Sequence, residues 1–450
     1  MATPDGVQFS NNPVEGTQAE AELVIFRSEL PSYNPDSNKF IRINLPVADK
    51  GWIDFSDTVL SLKFVNRSFN STAGDNDGTK NGVQTQLSNL IKSITVLNSQ
   101  GEQIEYINNY NLISSIMDDL SMGDTHKASV EQVLGGGSAN GNPADASNLA
   151  IAGRADTTAS EGDGATPLTM CDRIMSGFTS GQFLLPLGYL VGQSPAIIIE
   201  LESPDTALKV GQLSGATLAY KVENVELRAK QIKFNAMFNA SFEKTLAEAG
   251  AVGINYITES FLSNQGSIPN ATSGEYNVPF SCNPRSAKYI LACHRKEVEI
   301  TGKDKYSIQN RLGMLLTQYN FEISGKMLPQ QPIKTDTGDF ANSYAQVLDC
   351  MGQIGAINHN TLVSKATANT LWYTRTEANH CKFLAGLVLE DFNSATNPSV
   401  YSGMNLTTVG QLTYRPTILS ALTGAYRIDL ITSIDMSIHF TIDGRMYSVK

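Results

Sequence analysis

The chain has 450 residues, 41% of them hydrophobic and 17% charged, with a formal net charge of -11 and a pI near 5.0. That composition excludes a disordered or fibrous chain and is enough for two or three compact domains. The acidic surface repels phosphate backbones, which argues against a nucleic-acid coat of the basic-arm type and against direct sequence-specific nucleic-acid binding.

The opening stretch, MATPDGVQFSNNPVEG, has no basic start ahead of an apolar core, and no window of about 18 apolar residues occurs. Neither a secretory signal nor a membrane span is expected, and the chain should fold in a cytosol-like compartment. Residues 1–20 read as a flexible arm. The first clear strand is TVLSLKFV, with Leu60, Leu62 and Phe64 on one face. Next, ITVLNSQGEQIEYI places a tight turn at Gly101 between two strands. A helix follows in NNYNLISSIMDDLSMG, where Tyr110 leads into Leu112, Ile113, Ile116, Met117 and Leu120 at helical spacing. The Asn cluster is available to cap its start and Gly123 to stop it.

Residues 123–180 are rich in Gly, Ala, Ser, Asn and Asp and predict one long loop. The strand AIIIELES comes next, and NASFEKTLAEAG predicts a helix closed by Gly250. KYILACHR is a continuous apolar run suited to a strand buried on both sides. YNFEISGKMLPQQPI predicts a hairpin: Tyr319, Phe321 and Ile323 face a core, Gly325 turns the chain, and Pro329 and Pro332 bar the return segment from a central position in a sheet. DFANSYAQVLDCMG predicts a helix, with Tyr344, Val347, Leu348 and Met351 on one face and Gly352 as its stop. From Ile428 to Ile442 every second residue is apolar or Thr, which predicts a long half-buried antiparallel strand, or two strands joined by a bend.

The order strand, glycine turn, strand, helix therefore occurs twice. The turn glycines Gly101 and Gly325 lie about half the chain apart, and Tyr110 to Met117 and Tyr344 to Met351 share a seven-residue spacing. A duplicated β-rich module accounts for the length. Eight or so strands per half, with a helix inserted after the fourth, fit an all-β double jelly roll: a first module at 21–230 and a second at 231–450.

Chemistry-bearing patterns are sparse. Cys171, Cys282, Cys293, Cys350 and Cys381 form no CxxC pair and read as free thiols. Cys293-His294 and His380-Cys381 put neighbouring side chains on opposite faces of a strand, so neither dipeptide suits a tetrahedral metal site. His126, His359 and His439 stand alone. Asp118-Asp119 and Glu390 read as element ends, and no GxSxG, P-loop or HExxH motif occurs. Lys288, Arg295, Lys296, Lys303 and Lys305 read as a solvated face or an inter-subunit ion-pairing strip. The sequons at Asn66, Asn70, Asn239, Asn270 and Asn405 carry no weight without a signal peptide. No catalytic residue, cofactor or metal is expected. The competing class is a carbohydrate-binding or glycan-hydrolysing protein on two jelly rolls. It would need carboxylate pairs beside aromatic side chains, and the chain has only Trp52 and Trp372 as tryptophans.

The order DFSDTVLSLKFV, LSNLIKSITVLNSQGEQIEYINNYNLISSIM, FLLPLGYL, AIIIELE, NPRSAKYILACHR, YNFEISGKMLPQQPI, FANSYAQVL and FLAGLVLEDF resembles the double jelly-roll major capsid proteins of the adenovirus hexon and tailless-phage lineage. It is most similar in size and order to those of Polinton-like viruses, adintoviruses and virophages. The resemblance runs from about Ile41 to Val449 and rests on the order of features, its most specific piece being the GKMLPxxP turn and the Tyr-containing helix after it. It implies a homotrimeric, pseudo-hexagonal capsomer of an icosahedral virion, assembled in the host cytoplasm or nucleus. Neighbouring capsomers, penton and minor capsid or cement proteins would be its partners, and the N-terminal arm would face the particle interior. Contact with a membrane is left open.

Overall fold

The computed structural model describes residues 19–47, 50–67, 69–70, 81–83, 87–122, 167–180, 183–210, 216–270, 272–300, 308, 311–335, 340–352, 363, 372–373, 381–390, 402–407 and 411–450. The expected arm up to residue 18, the helix stop at Gly123, most of the 123–180 loop, Lys303, Lys305, His126, His359 and His380 lie outside them.

The first half contains strands β1 (Ala19–Arg27), β2 (Phe40–Asn44), β3 (Trp52–Asn66), β4 (Ile91–Leu97) and β5 (Gln103–Asn108), and then helix α1 (Tyr110–Ser121). It continues with β6 (Leu168–Asp172), the helical turn α2 (Gly177–Ser180), β7 (Leu184–Leu185), β8 (Ala196–Leu201) and β9 (Tyr220–Phe234). Helix α3 (Ala236–Ala249) leads into the second half. There follow β10 (Ile254–Ile268), β11 (Val278–Phe280), β12 (Ala287–Lys296), β13 (Leu316–Ile323), β14 (Lys326–Lys334), helix α4 (Phe340–Cys350), β15 (Ala385–Val388), β16 (Leu412–Ile418), β17 (Tyr426–Phe440) and β18 (Met446–Val449).

Both halves use these strands in the same way. The first has one sheet in the order β1-β9-β3-β7, with β6 added to β3, and a second in the order β2-β8-β4-β5. The second half repeats this as β10-β17-β12-β15, with β18 added to β17, and β11-β16-β13-β14. All these pairings are antiparallel. The described strands of one half pair only with strands of the same half. The sequence position 230/231 falls inside β9, and α3 is the element that carries the chain across. Each pair of sheets closes over the apolar stripes of its strands, including Ile43, Leu62, Phe64, Ile94 and Ile197 in the first half and Ile290, Phe321, Tyr414 and Ile428 in the second, all buried. Burial of such side chains, at about 1.5–3 kcal/mol each, is the main force holding the sheets together.

The two glycine hairpins have the expected conformation. Ser324 and Gly325, at φ 52° and 76°, form a two-residue turn between the paired Ile323 and Lys326, and Gly101 turns β4 into β5 at φ 83°. Two successive positive φ values match the right-handed twist of the flanking strands. β14 is an edge strand. Its register jumps from Leu328 opposite Phe321 to Ile333 opposite Tyr319, so the segment from Pro329 to Pro332 bulges out against Asn320 alone.

Four expectations need correction. Asn109 does not cap α1: it is left-handed, at φ 51°, and its side chain bonds to no helical N–H, whereas Asn111 Oδ1 accepts from Leu112 N at 2.8 Å. By contrast, Asn235 does cap α3, accepting from Phe238 N at 2.9 Å. The end of the expected 123–180 loop is ordered, because Leu168 and Met170 alternate and pair with Phe64 and Leu62 of β3. β17 is one continuous strand buried on both faces, since Asp429, Ser433 and Asp435 are each satisfied by a partner inside the protein. Finally, Tyr110 is the first residue of α1 whereas Tyr344 lies inside α4 and Met351 beyond it. Their equal spacing therefore does not mark equivalent places, although the order of elements repeats.

A Cβ at Gly101 or Gly325 would meet no atom within 4 Å, so substitution strains only the backbone. Gly325→Ala is expected to cost about 1–2 kcal/mol, the penalty of an L-residue in the left-handed region. A lowered urea midpoint with an unchanged m-value is the measurement.

Candidate functional site at the seam between the modules

Among the described residues, no group of three or more His, Cys, Asp or Glu side chains could hold a metal ion. The polar side chains that the fold does concentrate are along the seam where the two modules meet, and among the described residues they include three groups of contacts.

The first centres on Glu105 of β5, which is wholly buried. Its carboxylate accepts Ser176 Oγ at 2.5 Å, Gly177 N at 2.8 Å and Phe178 N at 3.2 Å from the first module, and the Ser260 hydroxyl of β10 from the second. A buried carboxylate is tolerated only when donors replace the water it loses, and here four do. Thr258 Oγ1 donates back to Gly177 O at 2.9 Å. A Cβ at Gly177 would lie 2.7 Å from Met436 Cε and 2.8 Å from Glu259 O, so the two modules approach as closely as a glycine permits.

The second group uses Asn109 and the last strand. The left-handed backbone of Asn109 aims its side chain away from α1 and across the seam, where Nδ2 donates to Ser263 Oγ at 2.8 Å and Oδ1 accepts from Arg427 Nη2 at 3.4 Å. β18 extends the second module's sheet towards β5: Asn98 Nδ2 donates to Met446 O at 2.9 Å, and Ser448 Oγ to Ile104 O at 2.6 Å.

The third is a buried ion cluster. Asp119 of α1 lies 3.0 Å from Arg311 and 3.2 Å from Lys382, with all three side chains at most 2% exposed. Such a cluster stabilises little against an apolar replacement of equal shape, but removing one partner leaves a charge stranded.

Of the basic strip expected as a solvated face or an inter-subunit ion-pairing strip, Lys296 is half-exposed and donates to Thr423 Oγ1 at 2.8 Å, whereas Arg295 and Lys288 are turned inward. Arg295 is buried and pairs with Asp429 at 2.7 Å, and Lys288 bridges Glu259 at 3.2 Å and Glu390 at 3.9 Å. Burial alone would lower the Lys288 pKa, but Glu259 and Glu390 outweigh it and raise it above the usual lysine value. Cys293 and His294 do point to opposite sides. His294 stacks on Phe383 and Tyr414, with Nε2 2.9 Å from the Tyr414 hydroxyl, and burial lowers its pKa to about 4. Burial likewise pushes the Cys293 thiol up to about 12.

The eight turn and helix markers do not converge on one site. Gly101 and Gly325 turn hairpins, Tyr110 and Met117 are buried in α1, and Tyr110 Oη accepts from Met175 N at 2.7 Å. Pro329 and Pro332 shape the β14 bulge, Tyr344 is half-buried with its ring 5.0 Å from that of Trp372, and Met351 is half-buried. Sequence reading missed Glu105, Asn109, Gly177, Arg311 and Lys382. The one local signal was a lone acid inside the apolar QIEYI run.

No protein-family model and no curated protein matches this sequence. Solved structures match it end to end. The Sputnik virophage structure determined by cryo-EM aligns with a TM-score of 0.59 at 10% identity, over 100% of this chain and 92% of that one. The Faustovirus major capsid protein aligns at 0.57 and 11% identity, over 96% and 92%. The mavirus major capsid protein aligns at 0.53 and 9%, over 100% and 95%. What is shared at such identities is the fold: this chain is a double jelly roll.

Gly177→Val should separate the modules or force them apart, because backbone atoms of β10 cannot yield. The expected loss is about 3 kcal/mol or more, in the range of overpacked or strained core sites, and denaturant unfolding measures it. His294 gives a pH prediction. The folded chain holds the imidazole neutral down to about pH 4, whereas the unfolded chain protonates it near pH 6.5. Its contribution is intact above pH 6.5 and is lost as pH falls towards 4, by about 1.4 kcal/mol per pH unit. Replacing it by Phe should flatten that part of the stability-pH curve, read as melting temperature between pH 7 and 4.5.

Proposed function

We propose that this chain is the major capsid protein of an icosahedral virus, a structural protein without catalytic activity that builds pseudo-hexagonal homotrimeric capsomers. The observation that carries this reading is the end-to-end match to capsid proteins: at least 96% of the chain aligns with each of the three, so little is left over for a separate catalytic unit. The build of the chain supports it. Two modules with one strand order, joined by a seam of buried polar contacts, supply two similar but unequal sides per copy. Three copies in a closed ring then present six sides, with the first module of one copy against the second module of the next.

On this reading the modules span about 19–234 and 254–449, with α3 between them. The protein resides in the virion, and penton and minor capsid or cement proteins are its further partners. The glycan-processing alternative has no support from the solved structures that match. Light scattering on the purified chain tests the proposal. A stable species at three times the 48.7 kDa chain mass is expected. A monomer at every concentration, or one that hydrolyses glycans, would overturn it.

A further inference from the structure

The seam inside one chain shows which surface of each module is left bare. In the two modules β5 and β14 occupy the same place, at the edge of one sheet, and β1 and β10 occupy the same place, at the edge of the other. Within a copy β5 is joined to β10. That leaves β14 and β1 as the counterparts: β14 packs on α4 of its own module, and among the described residues no hydrogen bond or ion pair joins either strand to the other module.

The register identifies the side chains concerned. β9 (YKVENVELRAKQIKF) and β17 (YRIDLITSIDMSIHF) are both 15 residues long, begin with Tyr and end with Phe. β1 starts opposite Phe234 as β10 starts opposite Phe440. Counting back from those ends, Leu23 opposite Lys230 stands where Thr258 stands opposite Met436, and Ile25 opposite Arg228 stands where Ser260 stands opposite Ile434. Thr258 and Ser260 are the two residues that touch Gly177 and Glu105. In the first module the same two positions are apolar and open, with Leu23 69% and Ile25 43% exposed.

The opposing strand is changed to match. Four residues past its turn glycine, β5 presents Glu105; four residues past its own, β14 presents Pro329, followed by the bulge to Pro332, with Met327 and Leu328 half-exposed beside it. Where one seam has a carboxylate facing a hydroxyl, the other thus offers Leu23 and Ile25 on one side and Met327, Leu328, Pro329 and Pro332 on the other, with Gln330 and Gln331 exposed at the crest of the bulge. Prolines also remove N–H donors, so β14 meets its partner through side chains and not by adding a strand.

We infer that Leu23 and Ile25 of β1 are the docking site for the proline bulge of β14 from a second copy of this chain, an apolar version of the polar seam within each copy. This rests on the capsomer reading and specifies its contact.

Two experiments test it. The double variant L23E/I25E, changed only at exposed positions, should keep the parent melting temperature but lose the assembled species, with the light-scattering mass falling to that of one chain. A benzophenone maleimide on the Ile25→Cys variant, compared with the same treatment of the parent chain, should cross-link on illumination to residues 326–334 of another copy, as mapped by mass spectrometry. Cross-links to any other segment, residues 1–18 included, or an assembly that survives L23E/I25E, overturn the inference and leave the capsomer reading standing. A parent chain that is itself monomeric overturns both.

Discussion

The constraint on which the two-module arrangement depends is the burial of one carboxylate. Glu105 lies on the edge strand of the first module's sheet, where β10 of the second module reaches it. Once β10 covers it, the cost of removing it from water has to be met by donors in fixed places: two amides and a hydroxyl around Gly177, and the Ser260 hydroxyl from the other module. An apolar contact could slide by an ångström with little penalty. This one cannot, because each donor that drifted off would leave a charge unsatisfied. The position of β10 on β5 is therefore set by hydrogen-bond geometry, and Asn109, β18 and the Asp119 cluster fix its rotation at points farther along.

The modules repeat an architecture, but the counterpart surfaces differ in chemistry. Covered strands carry polar groups that specify one neighbour: Glu105, Ser260, Asn109, Ser263. Their counterparts carry Leu23 and Ile25 on β1, and Pro329 and Pro332 flanking the exposed Gln330 and Gln331 on β14. A polar contact formed once, during folding of one chain, can be demanding in its geometry; a contact between separately folded copies gains from an apolar surface that tolerates small misfits while water leaves it.

Much of the fold could be read along the chain because it is written in local patterns. The alternation around Leu62, the glycine turns and the apolar KYILACHR run each specify their own conformation. The seam could not, because its residues are ordinary where they stand. Asn109 looks like a helix cap, and only its left-handed backbone shows that its side chain has been turned to Ser263. Arg295 looks like part of a charged face until Asp429, distant in sequence, is brought beside it. The clearest trace of duplication was in fact the pair of Tyr-to-Phe strands β9 and β17, which generic β patterning conceals, since residue classes agree there more than identities do.

Helix α3 makes the two modules one covalent unit, and this gives any assembly of the chain a parity. Rings of whole copies contain an even number of modules, equal numbers of each kind, whatever the number of copies. A six-sided tile is reachable and a five-sided one is not.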